Sequence, residues 1–397
     1  MMKMNNKVEA GRIPAFNLKK DKGSLFGLYI HIPFCPYKCN YCDFLTFSHA
    51  DKRIDEYMTY LNKEIDMYEG KGIRLDSIFI GGGTPSYIDS KYIIKLMDKI
   101  KSIYSISSDC EITIEMNPNT LNEIKIKDYV SCGINRFSLG VQTFDDGILK
   151  VLGRSHTKEI VLRDIKLLRE NGAKNISIDM MLANPGQDMN ILENDLKVIS
   201  YIDIDHISYY TLILEDRTLF KYWLDNGMME LFDDDLERTM FHRAKKKLEE
   251  YGFKRYEISN FAKPGMESSH NMKYWQQTPY IAVGLGASAS YEDVRTKNYS
   301  KFGQYYEALD NGLLPIEVNE KLSSEDREKE FIIMNMRMTE GFSIGEINKK
   351  FGINFVDKYN KVIEKHKEYS AVEIEGDRFK FTDYGLDVTN SFYIDII

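Results

Sequence analysis

From residue 25 to about residue 212, short apolar runs alternate with stretches of helical period, and that alternation constrains the fold more than any other feature. The runs fall at 25–30, 77–80, 111–116, 135–139, 175–180 and 206–212. Between the first two, Ile54, Met58, Leu61, Ile65 and Tyr68 recur at steps of four and three, which is one face of a helix. Ile93, Met97, Ile100 and Ile103 repeat the pattern before the third. Strands separated by amphipathic helices are joined most simply as parallel neighbours through right-handed crossovers. The spacing therefore predicts an α/β fold on a parallel sheet.

Polar and glycine-rich signals follow successive strands. They are a cysteine loop, Gly81-Gly82-Gly83-Thr84-Pro85, Asn117-Pro118, Gly140-Val141-Gln142 and Asn184-Pro185-Gly186. In barrels of this type the carboxyl ends of the strands form the working face, so the sheet is expected to curl into a partial (β/α)6 barrel over residues 24–215. The alternation stops after that. Residues 216–319 form an extension with a Gly/Ser/Ala-rich stretch at 283–290. Residues 320–397 read as a small winged-helix-like α+β domain, with helices near 323–337, 344–350 and 354–366 and a hairpin over 371–381. Residues 1–23 are polar and read as a flexible tail.

A net charge of −8 argues against a nucleic-acid partner. No apolar run is long enough for a transmembrane helix, although peripheral membrane contact stays open. The N-terminal segment lacks the apolar core of a secretory signal, and the chain is expected to be cytoplasmic. Five cysteines, three of them within eight residues, make a poor disulfide framework and a better metal site. Cys110 and Cys132 stand alone and are expected to be buried.

The central motif is His31-Ile-Pro-Phe-Cys35-Pro-Tyr-Lys-Cys39-Asn-Tyr-Cys42-Asp-Phe44. A structural zinc site would need a fourth ligand, from His31 or His49, to close its tetrahedron. A four-cysteine ferredoxin cluster would have to recruit Cys110 or Cys132 from other strands. Three thiolates on one loop after a first strand resemble the radical S-adenosylmethionine (SAM) superfamily. That resemblance implies a [4Fe–4S] cluster on Cys35, Cys39 and Cys42, with one iron left open to chelate SAM and cleave it reductively.

The likeness extends over nearly the whole chain from about Leu28. It is carried by Tyr29-Ile-His-Ile-Pro-Phe-Cys35, Ile80-Gly-Gly-Gly-Thr-Pro-Ser86, Glu115-Met-Asn-Pro118 and Gly140-Val-Gln-Thr-Phe144. Leu152-Gly-Arg-Ser-His156, Asn184-Pro-Gly-Gln187 and Tyr256-Glu-Ile-Ser-Asn-Phe-Ala262 continue it. In this order the motifs resemble the oxygen-independent coproporphyrinogen III oxidase family, and within it the heme-chaperone (HemW-type) branch. The resemblance implies a SAM pocket of Tyr29, Gly82, Gly83, Thr84, Glu115, Gln142, Arg154 and Asp179. In it Arg154 could clamp the methionine carboxylate, and the carboxylates could accept from the ribose or ammonium.

Two departures from the oxidase pattern favour the chaperone branch. Phe44 stands where true oxidases carry a fourth cysteine, and His270-Asn-Met-Lys-Tyr274-Trp275 resembles the heme-associated motif of the branch. His270 is then expected as an axial ligand, with Tyr274 and Trp275 against the porphyrin face. The implied function is to hold heme and deliver it to acceptor apo-hemoproteins. Oxidative decarboxylation of coproporphyrinogen III, or other radical chemistry on a tetrapyrrole, is the alternative. Ser288 is a further departure, since many relatives have histidine after Gly286-Ala287. At Asn184, relatives more usually have leucine.

Overall fold

Six strands run parallel and side by side in chain order: β1 (Leu25–Ile32), β2 (Arg74–Gly82), β3 (Ser105–Met116), β4 (Arg136–Gln142), β5 (Asn175–Leu182) and β6 (His206–Thr211). They form the partial barrel of a computed structural model that describes residues 24–397. The tail expected at 1–23 lies outside the described residues. The amphipathic helices expected in the first two crossovers are present. The first, α1 (Ile54–Asp66), buries Tyr57, Met58, Leu61 and Ile65 against the sheet. The second, α2 (Ser90–Ile103), is capped by Asp89, whose carboxylate accepts from the Lys91 amide, and the helix buries Ile93, Leu96, Met97 and Ile100.

The extension does not leave the sheet; it continues it at both edges. Beside β6 lie the antiparallel strands β7 (Lys254–Arg255) and β8 (Asn260–Ala262). At the other edge β9 (Tyr280–Val283) pairs parallel to β1. The antiparallel ribbon β10 (Ser288–Tyr291), β11 (Val294–Asn298) and β12 (Ile316–Lys321) follows, giving twelve strands in all. The Gly/Ser/Ala-rich stretch is thus the end of β9, a turn and β10. These strands escape detection because they are short and bury one face only: Ala289 and Tyr291 face the core while Ser288 and Ser290 do not. The last residues have their own core around Phe331, Phe342, Phe355, Phe379 and Phe392. Helices Ser324–Asn335, Ile344–Phe351, Phe355–Lys358 and Asn360–Glu368 precede the hairpin Val372–Glu375/Arg378–Phe381 there.

Glu64 of α1 fastens the added edge to the barrel. It is fully buried and accepts from the Gly284 amide (2.7 Å), Asn298 Nδ2 (2.7 Å) and the Tyr305 hydroxyl. Burial pushes its carboxyl up from 4.5 to about 7 against the pull of these three donors. Because the folded chain binds this proton more tightly than the unfolded one, the Glu64 contribution to stability falls as pH rises from about 4.5 to about 7. The total is about 3 kcal/mol. Urea unfolding at pH 5 and pH 7.5 should show that Glu64→Gln flattens this part of the pH dependence. An unchanged slope would remove Glu64 as its source.

Candidate functional site: the cysteine loop and the cavity beside it

The cysteine loop leaves the carboxyl end of β1 and is tied down at several points. Phe34-Cys35 pairs in parallel with Phe47-Ser48. Asn40 anchors the tip, with its amide on Leu152 O (3.0 Å), its side chain on Val151 O (2.8 Å) and its carbonyl accepting from Phe220 N (3.0 Å). Gly153 is required opposite it: its φ is +75°, and a Cβ there would sit 3.0 Å from the Asn40 side chain. Cys35, Cys39 and Cys42 are half-buried, whereas Cys110 and Cys132 are buried.

The surroundings of the sulfurs suit an anionic cluster. Thr84 Oγ1 accepts from Asn117 Nδ2 (2.8 Å), which leaves its proton to donate to Cys35 Sγ at 3.3 Å. Arg154 directs Nη1 at Cys39 Sγ (3.5 Å), while Nη2 donates to Asn117 Oδ1 (2.9 Å) and to Gly140 O. Arg154 is buried, makes no carboxylate ion pair among the described residues, and keeps Nε unpaired. Such a guanidinium calls for compensating negative charge, which thiolates on iron would supply. Among the described residues no three His, Cys, Asp or Glu side chains converge as a ready single-ion site.

The expected SAM residues divide into two groups. Tyr29, Gly82 and Glu115 line a cavity of about 840 Å³ that also touches the cysteine loop at Lys38, Asp43 and Phe44. Gly82 is needed because, at φ +115°, a Cβ would lie 2.6 Å from the His31 ring. His31 is held neutral, pushed down to about 4 by burial. Its Nε2 donates to Leu45 O and its Nδ1 accepts from the Tyr29 hydroxyl, both at 2.9 Å. A Cβ on Gly83 would lie 2.7 Å from Phe34 O, so both glycines let the cysteine loop close on β2. Glu115 accepts from the Gly82 amide (2.9 Å) and is raised to about 7, first by burial and then by the charge of Asp179. Asp179 is raised by burial and held by Ser138 (3.4 Å). Gln142, at φ +71°, accepts from the Tyr210 hydroxyl (3.1 Å). Asn117, which follows β3, joins Thr84 to Arg154 through its side-chain amide.

The expected heme motif also divides. Helix Ser269–Gln276 carries Tyr274 and Trp275 onto the cavity wall. His270 is fully buried, and both ring nitrogens are engaged at 2.9 Å, Nδ1 with Ser77 Oγ and Nε2 with the Tyr274 hydroxyl. Burial pushes it down to about 3. In this geometry both nitrogens of His270, expected as an axial ligand, are engaged and its ring does not line the cavity, while its Nε2 holds the Tyr274 phenol. Trp275 has the Arg337 guanidinium over its ring (4.7 Å) and a buried, unpaired indole N–H. Phe44 is 71% exposed at the rim, so a ring rather than a thiol faces solvent there. Asn184 also has a reason now. It is buried, donates to Met181 O (2.9 Å) and, with its own amide, to Gln187 Oε1 (3.1 Å), closing the Asn-Pro-Gly-Gln turn.

Residues 29–199 match the Radical SAM superfamily, and residues 322–388 match the HemN C-terminal domain. The heme chaperone HemW of Bacillus subtilis is 35% identical over 347 residues, 87% of this chain and 92% of its own. That of Escherichia coli is 37% identical over 66% of this chain and 68% of its own. Among solved structures, coproporphyrinogen III oxidase (HemN) from Escherichia coli superposes with a TM-score of 0.83. It covers 94% of this chain and 90% of its own at 20% identity, a likeness of fold.

Proposed function

Since the chain belongs to the heme chaperone HemW family of radical SAM proteins, we propose that it binds heme in the 840 Å³ cavity and hands it to acceptor apo-hemoproteins in the cytoplasm. The observation that carries the reading is the continuity of that cavity, which runs from the cysteine loop and Phe44 to Tyr274 and Trp275. Cys35, Cys39 and Cys42 would hold the [4Fe–4S] cluster. Tyr29, Gly82, Gly83, Thr84, Glu115, Gln142, Arg154 and Asp179 would surround SAM beside it. When bound, the cluster supplies an electron to the SAM sulfonium.

The protein's own part is to position and to compensate charge. Arg154 and Thr84 offset the negative charge of the thiolates. Burial keeps His31 neutral and Tyr29 fixes its ring, and Glu115 presents an acceptor into the cavity at a point already anchored by the Gly82 amide. His270 holds the Tyr274 hydroxyl, so that Tyr274 and Trp275 offer an ordered aromatic surface to a flat apolar ring. Phe44 in place of a thiol supports holding a tetrapyrrole over oxidising one.

Heme titration followed at the Soret band should give a saturable, stoichiometric complex. Trp275→Ala should weaken it about threefold to tenfold through lost stacking. His270→Ala and Tyr274→Phe should perturb the band alike, because they break the same hydrogen bond. A band shifted by His270→Ala to a five-coordinate form, with Tyr274→Phe silent, would make the histidine the ligand. No saturable complex would overturn the reading.

A further inference from the structure

The antiparallel hairpin β10–β11 forms part of the cavity wall, and its register puts four polar side chains together. Ser288 pairs with Lys297 and Ser290 with Arg295. All four line the cavity, while the alternate residues Ala289, Tyr291, Thr296 and Asn298 are buried behind. Residues two apart on a strand stand about 7 Å apart on one face, and directly opposed residues about 5 Å apart. The wall therefore presents two cations side by side, each with a hydroxyl across from it. Lys297 makes no ion pair among the described residues. Arg295 is paired with Glu330, which also lines the cavity from helix Ser324–Asn335, and lies 3.9 Å from Glu320.

Building on the heme reading, we propose that this face is a carboxylate-binding wall that takes the two side-chain carboxylates of a tetrapyrrole, and that Glu330 occupies Arg295 until they arrive. Two cations at strand spacing match two carboxylates carried on one edge of a rigid ring. Arg295 can take one bidentately and Lys297 the other as a point charge, with the serine hydroxyls donating to the remaining lone pairs. Ser288 suits the wall to anions by setting a hydroxyl opposite Lys297. An arriving carboxylate competes with Glu330 for the guanidinium. Loading the cavity thus releases a contact between the sheet and the C-terminal domain.

The test compares heme with its dimethyl ester, which keeps the ring and removes both charges, by Soret titration of the full chain and its variants. SAM, whose methionine carboxylate is the other possible anion, is titrated in parallel. The wild type should prefer the diacid. Lys297→Gln should weaken the diacid about tenfold, leaving ester and SAM affinity unchanged. Glu330→Gln should tighten the diacid by freeing Arg295. Equal binding of diacid and ester by the wild type would overturn the wall alone. A Lys297→Gln effect on SAM instead of heme would assign the wall to the methionine carboxylate and overturn it likewise. Equal loss of diacid and ester in Glu330→Gln would reduce that pair to a structural tie. Failure of the wild type to bind either tetrapyrrole would overturn the heme reading, and the wall with it.

Discussion

Replacing Cys35, Cys39 or Cys42 by alanine, one at a time, is expected to abolish the iron–sulfur chromophore of the anaerobically reconstituted chain, which should otherwise carry about four irons. Each thiol is irreplaceable because the loop offers no fourth. The remaining cysteines are buried and turned to local carbonyls, Cys110 Sγ to Glu111 O (3.6 Å) and Cys132 Sγ to Tyr129 O (3.2 Å). Cys110→Ala and Cys132→Ala should therefore keep the full chromophore, at the modest stability cost of removing a small buried side chain. Iron analysis and the visible spectrum decide it. Full iron in a Cys39→Ala protein, or a chain satisfied by zinc, would remove the cluster from this loop.

Arg154→Ala has the second-largest expected effect. The guanidinium joins Cys39, Asn117 and Gly140, and so connects the cysteine loop to the ends of β3 and β4. Each charge-assisted hydrogen bond of this kind is worth about 1.5–3 kcal/mol. Truncation also leaves Asn117 Oδ1 and Gly140 O without their donor. The variant should lose cluster iron on gel filtration and bind SAM about ten- to a hundredfold more weakly. Arg154→Lys should not rescue it, since a single ammonium cannot reach three acceptors held by a planar fork. Iron retention and SAM titration curves identical to wild type would take Arg154 out of the site.

The barrel was legible because its signals are local and repeat. The helix faces at Ile54–Ile65 and Ile93–Ile100 follow the 3.6-residue period, and each strand end carries its own turn chemistry. The edge strands β9 to β12 were not legible. Tyr280–Val283 is a four-residue run between Pro279 and Gly284, and the ribbon beyond it turns serine, arginine and lysine toward the cavity. A strand with one wet face has no apolar run to find. The cysteines could be read from spacing, but the reason for Gly82 and Gly83 could not, since it lies in the His31 ring and the Phe34 carbonyl across the gap. The hydrogen bonds of His270 were not legible for a related reason: its partner Ser77 lies 193 residues away in the chain.

The central claim is that this radical SAM chain holds a tetrapyrrole without oxidising it, and one assay tests that claim directly. Reconstituted protein, SAM and a reductant are incubated anaerobically with coproporphyrinogen III, and the porphyrins are separated after reoxidation. The prediction is that all of the substrate is recovered as coproporphyrin III, because position 44 offers the exposed ring of Phe44 and no thiol. Steady accumulation of protoporphyrin IX would contradict the chaperone account and make the chain a decarboxylase.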